Sequence, residues 1–447
     1  MAAFLDQLDG IVWGPFMLVL ILGTGLYLQI RLKGMPIVMI GQGFRMIWRG
    51  RRKDANAGEV SPSSALMTCL AATIGVGNIV GVATAIALGG PGAVFWMWMT
   101  ALVGMATKYA EVVLAVQFRE RDADGHFVGG PMYAIRNGLG KHWHWLGTLF
   151  AIFGGLAGFG IGNMTQANSI ANALQTSFGI ESLYVGIALV IITGAVILGG
   201  IRRIAAVADV LVPFMAIGYV LLCLWILLSN AALVPQAFVY IVKNAFTPTA
   251  AVGGFTGAAV IAGLRYGVAR GIFSNEAGLG SAGIAQAAGA SANPIKSGLI
   301  GMMGTFIDTI VVCSMTALVI VTTGVWSTGK SGAELTQAAF DIAFPSSGNM
   351  LVAIALSVFA MTTIFGWAYY GERCWQFLLG KWVILPYRVL WTAVVYFGAT
   401  TQMATAWTLA DVLNALMAIP NLISLLVLAP LIVQLTRDNL KQVLSDH

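Results

Sequence analysis

The chain has 447 residues, of which 58% are hydrophobic and only 9% are charged. Because a soluble domain usually has about 25% charged residues, this composition excludes a string of soluble domains and favours a membrane protein. The net charge of +6 is dispersed over short segments between apolar runs, so it does not indicate a nucleic-acid partner.

Apolar runs of roughly 20 residues, the length that crosses a bilayer, recur along the whole chain. The N-terminus carries Asp6 and Asp9 where a signal peptide has basic residues, so we expect the first run to be retained as a span. The pattern predicts an all-α polytopic membrane protein with about eleven transmembrane helices. The predicted spans are 12–32, 63–88, 91–118, 146–178, 182–201, 205–230, 236–265, 295–323, 347–371, 382–401 and 409–435.

The basic residues predict the orientation, because lysine and arginine concentrate in cytoplasmic loops. A dense basic segment follows the first span: Arg31, Lys33, Arg45, Arg49, Arg51, Arg52 and Lys53. With this segment inside, only Lys243 and Lys330 of the 24 lysines and arginines fall outside, while Arg265, Arg270 and Glu276 lie at a cytoplasmic end. We therefore expect a multi-pass protein of the plasma membrane with its N-terminus outside and its C-terminal tail inside.

Residues for catalysis are scarce. The four cysteines are scattered through apolar segments, and the sequence contains neither a zinc-protease helix motif (HExxH) nor a serine nucleophile elbow (GxSxG). We interpret the cysteines as small packing residues and expect no enzymatic activity.

The second span is interrupted by Thr73-Ile74-Gly75-Val76-Gly77-Asn78. Glycine costs helix stability, and an amide is poorly placed in hydrocarbon. The spacing of Gly77 and Gly81 also suits a helix-packing interface, but such an interface does not need Asn78. We therefore predict an unwound segment here.

The seventh span is interrupted by Gly253-Gly254-Phe255-Thr256-Gly257. Each interrupted span opens a block of five spans, and the two blocks start in opposite directions, which is typical of an inverted repeat. The predicted divisions are an extra N-terminal helix with a basic linker (1–60), two five-helix repeats (61–232 and 233–436) and a cytoplasmic tail (437–447). Interruptions at corresponding positions of two halves indicate the binding site of a transporter.

Long segments of the chain closely resemble the alanine or glycine:cation symporter family. They are ATIGVGNIVGVATAIALGGPGAVFWMW, KYAEVVLAVQFR, GGPMYAI, RYGVARGIFSNEAGLGSAGIAQAA and DTIVVCSMTALVI. The resemblance implies the leucine-transporter-type fold, with two inverted five-helix repeats preceded here by one extra helix. It also implies sodium-coupled uptake of alanine or glycine.

The first interruption suits a zwitterion and a cation. Helix N-terminal amides beyond Asn78 favour a carboxylate, and Gly75 and Gly77 permit close approach to the backbone, so we expect Thr73, Gly75, Gly77 and Asn78 to contact the substrate. The side-chain carbonyl of Asn78 either binds the cation or holds the turn. The carbonyls of Ala71 and Ile74, at the end of the preceding helix, offer oxygens to sodium.

Other spans carry further candidates. Gln166 lies on a polar helix face that should turn inward, for substrate contact or for interhelical hydrogen bonding. Lys108 and Glu111 are interpreted as a structural pair with the lysine snorkelling. In the seventh span, we expect Gly254, Phe255 and Thr256 to contact the substrate. Asp308 is an intramembrane carboxylate that either neutralises a cation or organises the site.

The ninth span contains Thr362, Thr363 and Trp367. In the fold that the resemblance implies, hydroxyls at this place meet the carbonyls of the first broken helix, so both threonines are candidate sodium ligands. Threonines also commonly bond back to their own helix. Trp367 lies one turn from Thr363 and either walls the substrate pocket or packs in the core.

The sequence thus predicts a sodium-coupled importer of alanine or glycine, a monomer in the lipid bilayer, with sodium co-transported. Three alternatives remain open at this stage: a proton-coupled transporter of the same fold with Asp308 as the carrier, a passive channel, and a membrane sensor that transports nothing.

Overall fold

The computed structural model describes residues 2–49, 59–247, 256–291, 293–401 and 404–445. These residues form a bundle of helices with one short hairpin, in which β1 (Glu120–Arg121) pairs antiparallel with β2 (Phe127–Val128). Large apolar side chains from all parts of the chain fill its interior.

The first half of the chain begins with α1 and α2 and continues to a long helix, α12. Its helices are α1 Ala2–Val12, α2 Pro15–Arg31, α3 Met35–Val38, α4 Ile40–Arg49, α5 Pro62–Thr73, α6 Val82–Gly89, α7 Ala93–Gln117, α8 Pro131–Gly138, α9 His144–Ala157, α10 Thr165–Phe178, α11 Ser182–Ile197 and α12 Gly200–Ser229. Wider π-helical turns join α5 to α6 at Gly77–Gly81 and α9 to α10 at Gly158–Met164, and a 3-10 turn, Lys141–Trp143, precedes α9.

The second half also contains both broken and continuous helices. Its helices are α13 Val234–Asn244, α14 Thr256–Asn275, α15 Ser281–Ala287, α16 Pro294–Thr305, α17 Ser314–Thr323, α18 Gly332–Ala343, α19 Gly348–Leu379, α20 Ile384–Thr400 and α21 Ala404–Ser445. A π-helical segment, Phe306–Cys313, joins α16 to α17, and 3-10 turns lie at Val325–Thr328 and Lys381–Val383.

Local sequence explains several helix boundaries. Ser61 and Asn293 each precede a proline, and their side chains accept hydrogen bonds from backbone amides of the first turn, which caps α5 and α16. Gly179 and Gly324 end α10 and α17 in the left-handed conformation that glycine adopts without strain. The spans therefore start and stop at residues suited to those positions.

Corresponding helices of the two halves pack against each other. α7 packs on α16, α10 on α19 and α11 on α20, while α5 is held between α12 and α19. This symmetric pairing brings the broken helices, α5–α6 and α14–α15, to the centre of the bundle. Both are in contact with α7.

Seven helical segments in the described residues are long and apolar enough to cross a membrane, and the pair α5–α6, bent by 52°, makes eight. Two shorter apolar helices, α2 and α11, coincide with the predicted spans 12–32 and 182–201. The count of eleven remains a prediction.

The predicted span 236–265 is wrong. α13 ends at Asn244, and α14 continues ten residues past Arg265 to Asn275. The arginines that suggested a boundary are paired: Arg265 lies 3.7 Å from Asp9, and Arg270 lies 2.7 Å from Asp411. Both arginines lie within α14 and are paired with carboxylates, so they do not mark the end of a span.

Candidate functional site

The first interruption is unwound, as predicted, and its amides are bound by side chains. α5 ends at Thr73, and Ile74 is extended. The Gly75 amide donates to Asn78 Oδ1 at 2.9 Å, and the Val76 amide donates to Gln166 Oε1 at 3.3 Å. Freed backbone groups in the membrane interior must find partners. Gln166 thus supports the break itself, and its Nε2 donates to the Ile161 carbonyl.

The glycines at this break allow close contacts. A Cβ on Gly75 would collide with Thr363 Oγ1, and one on Gly77 would lie 3.0 Å from the Cα of Ser274. Gly77 therefore lets the first break pack directly on α14. The Thr73 hydroxyl, in the last turn of α5, donates to the Cys69 carbonyl of its own helix at 3.2 Å.

Asp308 organises the junction between the two halves. Its Oδ1 accepts from Asn78 Nδ2 at 2.7 Å, and its Oδ2 accepts from Ser274 Oγ at 2.8 Å and Thr309 Oγ1 at 2.7 Å. The carboxylate is fully buried. Through these three donors, Asp308 links the first break to the end of α14.

Oxygen atoms from α5 and α19 converge beside the first break. Thr363 Oγ1 lies 3.4 Å from the Ile74 carbonyl and 3.1 Å from the Phe359 carbonyl. Such hydroxyl and carbonyl oxygens are the donor set that a hard cation prefers. Phe359 lies four residues before Thr363 in α19, so the second contact is the hydrogen bond to its own helix that threonines commonly make, while the contact with Ile74 reaches across to the first break.

Thr362 and Ala71 are placed differently from Thr363. The Thr362 hydroxyl donates to the Phe359 carbonyl at 2.8 Å and faces Met215 of α12. Ala71 is buried in the last turn of α5. The next residue, Ala72, packs on α19, where a Cβ on Gly366 would lie 2.8 Å from its Cα. Only Thr363 of the two threonines is in hydrogen-bond range of Ile74 among the described contacts.

Trp367 is locked in place between the π-helical segment that follows α9 and the residue that follows α14. Its side chain packs directly on Gly162, and its ring makes an edge contact with Tyr370 at a centroid distance of 5.5 Å. Its Nε1 donates to Glu276 Oε1 at 2.7 Å. Glu276 was predicted at a cytoplasmic helix end, whereas it is buried at the centre of the bundle.

The second break lies at Glu276–Gly280, between α14 and α15. Glu276, Gly278 and Gly280 have positive φ angles of 56°, 97° and 80°. Glu111 of α7 holds this segment, since its Oε1 accepts from the amides of Gly278 at 2.8 Å and Gly280 at 3.0 Å. Lys108 is 1% exposed, so the predicted snorkelling is wrong.

Of the predicted contacts from the seventh span, Thr256 does not lie at this break. Thr256 is the first residue of α14, a helix of 20 residues, which places it about 30 Å from the second break at 1.5 Å per residue. Gly254 and Phe255 lie outside the described residues. The Asn275-Glu276-Ala277-Gly278-Leu279-Gly280 segment also contains a Gly-x-Gly, here with an asparagine three residues before it, and this signal was available in the sequence.

One end of the bundle is open toward the breaks. Cavities of about 440 and 400 Å³ share Val80 and Trp407 in their linings. Between these cavities and the breaks, Phe273 stacks on Trp407 at 5.8 Å. The pairs Arg265–Asp9 and Arg270–Asp411 lie at this same end, together with the N-terminal helix, so the assignment of Arg265 and Arg270 to the opposite end was wrong.

The other end of the bundle is closed by backbone contacts. The Glu59 amide donates to the Ala288 carbonyl at 3.0 Å, and the Ala290 amide donates to the Val60 carbonyl at 2.8 Å. Arg119 donates to the carbonyls of Ala287 and Gly289. Solvent therefore approaches the breaks more closely from the end with the two cavities than from this end.

Comparison with known proteins assigns this architecture. The model of the sodium:alanine symporter family matches residues 1–447. The chain belongs to the sodium:alanine symporter family. Its relatives within this family are similar over nearly their full length. The sodium/alanine symporter AgcS of Methanococcus maripaludis is 47% identical over 97% of this chain and 96% of its own. The amino-acid carrier protein AlsT of Bacillus subtilis is 36% identical over 99% and 94%.

Among solved structures, MhsT in complex with L-phenylalanine superposes with a TM-score of 0.58 at 12% identity. The match covers 85% of this chain and 98% of MhsT. At this identity the likeness shows the fold, which is the leucine-transporter type that the sequence predicted. Membership of the symporter family makes the protein a multi-pass membrane transporter and not an enzyme.

Proposed function

We propose that this protein imports a small neutral amino acid, alanine or glycine, together with sodium, by alternating access. The observation that carries the proposal is the convergence of Ile74, Thr363 and Phe359 oxygens beside an unwound helix. The relative AgcS, named a sodium/alanine symporter, supports the choice of ion and substrate.

The first break offers a place for the substrate. The π-helical segment that starts at Gly77 directs its positive end toward the break, which favours a carboxylate. Trp367 and Phe273 border the same region, and bulky fixed walls limit the side chain to a small one. In this scheme, Thr73, Gly75, Gly77, Asn78, Gln166 and Trp367 surround the amino acid, and Gln166 and Asn78 keep the break open.

Sodium would lie between the halves. Ile74 belongs to the first repeat and Thr363 to the second, so a cation bound to both would hold α5 against α19. Ala71 and Thr362 border this place, and Asp308 fixes the neighbouring Asn78. A cation that stabilises one arrangement of the two halves raises the affinity for a ligand of that arrangement.

The cavities at one end and the closure at the other represent one state of the cycle. We propose that the open end, with Arg270 and Asp411, faces the outside of the plasma membrane, and that the basic segment 31–53 faces the cytoplasm. Transport then requires the contacts between 59–60 and 288–290 to open while the outer end closes.

Uptake into liposomes tests the proposal. We expect purified protein to accumulate alanine when an inward sodium gradient is imposed, and to accumulate none under a proton gradient without sodium. Accumulation that follows the proton gradient alone would support the proton-coupled alternative. Equilibration without accumulation under either gradient would indicate a channel.

A further inference from the structure

Lys108 is a buried lysine in the middle of α7. Its side chain is 1% exposed, and its Nζ has no hydrogen-bond partner within the part of the chain that the structure describes. Burial of an ammonium group is strongly unfavourable unless nearby negative charges compensate it. The surroundings of Lys108 should therefore contain that compensation.

Three buried carboxylates supply it. Glu111 lies one turn further along α7, Glu276 opens the second break, and Asp308 lies beside the first break; each is near enough to Lys108 for an electrostatic interaction. Glu111 Oε1 accepts from Gly278 and Gly280, whereas its Oε2 has no partner in the described residues. Lys108, Glu111 and Glu276 form what we call the charge cluster.

The charge cluster holds the second break in its unwound form. Glu111 binds two amides of the break, and Glu276 accepts from Trp367 and from Ser281 at 2.5 Å. Two negative charges in a medium of low dielectric constant repel each other and attract any available cation. Lys108 provides such a cation on a flexible four-carbon stem.

We propose that Lys108 is a fixed internal cation that replaces one co-transported ion at the second break. Because it is covalently attached, it stays in the protein when the substrate leaves. The number of ions moved with each amino acid is then one fewer than the buried carboxylates would otherwise require. This inference rests on the proposed sodium symport and sets its stoichiometry.

The test measures the ion-to-alanine ratio in proteoliposomes at zero membrane potential. Each co-transported ion multiplies the limiting alanine gradient by about ten for a tenfold ion gradient. We expect Lys108→Met to raise this limit about tenfold under a sodium gradient, or to add an equal response to one pH unit. Lys108→Arg keeps the positive charge and should keep the wild-type ratio.

A double variant removes the charge imbalance. Glu111→Gln retains Oε1 for Gly278 and Gly280 and replaces only the partnerless oxygen, so Lys108→Met with Glu111→Gln should restore the wild-type ratio. If Lys108→Met alone does not accumulate in the membrane, Glu111→Gln alone decides the matter: with the lysine kept and one carboxylate neutralised, its ion-to-alanine ratio should fall below that of the wild type, whereas a structural role for Lys108 leaves the ratio unchanged.

Slower uptake at an unchanged ratio in Lys108→Met, or no recovery in the double variant, would overturn the inference and leave Lys108 a structural residue. Sodium-driven uptake by the wild type, measured in the same vesicles, tests the proposed function separately.

Discussion

Gly75 illustrates how one atom controls the site. Its Cα lies so close to α19 that an added Cβ would collide with Thr363 Oγ1 and lie 3.3 Å from Gln166 Oε1. Any side chain here pushes apart the two elements that border the proposed sodium and substrate positions. Gly81 lies four residues beyond Gly77 in the same π-helical segment, and a Cβ added there would meet no other element of the described chain within 4 Å.

We therefore expect Gly75→Ala to weaken alanine binding at least about fivefold, since overpacking costs about 1–3 kcal/mol. Gly81→Ala is the matched control and should bind like the wild type. Binding of radiolabelled alanine to purified protein measures both variants. Equal affinities for the two would show that Gly75 does not border the site.

Trp367 borders the proposed substrate pocket and donates a hydrogen bond to Glu276 of the second break. Trp367→Ala should let larger amino acids such as leucine compete for alanine uptake, in a graded way, because each methylene in an apolar pocket is worth ~1–3 kcal/mol. Trp391 is equally buried and packs on Phe159 and Tyr387. Trp391→Ala should lower stability without changing the size preference. If both variants show the same preference for amino-acid size, Trp367 packs in the core and does not border the pocket.

At the scale of elements, the two breaks differed in how well the sequence predicted them. The first break was visible because Gly75, Gly77 and Asn78 interrupt an apolar run. The second was assigned to 253–257, about one helix too early. The arginines of α14 made that helix look like a loop, and their partners, Asp9 and Asp411, are more than a hundred residues away in sequence. Long-range ion pairs of this kind leave no local signal.

The buried position of Glu276 could not be predicted either. A glutamate near basic residues is usually solvated. In contrast, Thr363, Asn78 and Asp308 were identifiable as polar side chains that lipid would reject. The structure joins these three to the breaks, while their roles in binding remain predictions.

The second break gives a prediction of its own. Gly280 has a φ of 80°, and a Cβ there would contact Pro131 and lie 2.9 Å from Asn421 Cγ. Gly280→Ala should abolish transport, because the break and its contact with Glu111 would have to shift.

Gly329 has a φ of 79°, and a Cβ there would meet no other part of the described chain within 4 Å. Gly329→Ala should therefore cost only about 1 kcal/mol of backbone strain. Uptake rates and thermal stability are measured for both variants. Normal transport by Gly280→Ala would contradict the prediction that the second break must keep its shape.

At the scale of the whole molecule, the arrangement of open and closed ends depends on orientation. Thr84 lines the 440 Å³ cavity, and Lys381 lines a cleft at the opposite end. An impermeant maleimide applied to intact cells should label Thr84→Cys and leave Lys381→Cys unlabelled. The reverse pattern would place the N-terminus inside and would invert the proposed direction of the cycle.

The central claim is that sodium and alanine bind cooperatively across the two halves of the molecule. Alanine affinity, measured over a sodium titration at two pH values, tests it most directly. We predict that affinity rises with sodium at both pH values, that alanine raises sodium affinity by the same factor, and that Thr363→Ala shifts the titration to higher sodium. Alanine affinity that follows pH and ignores sodium would contradict the account.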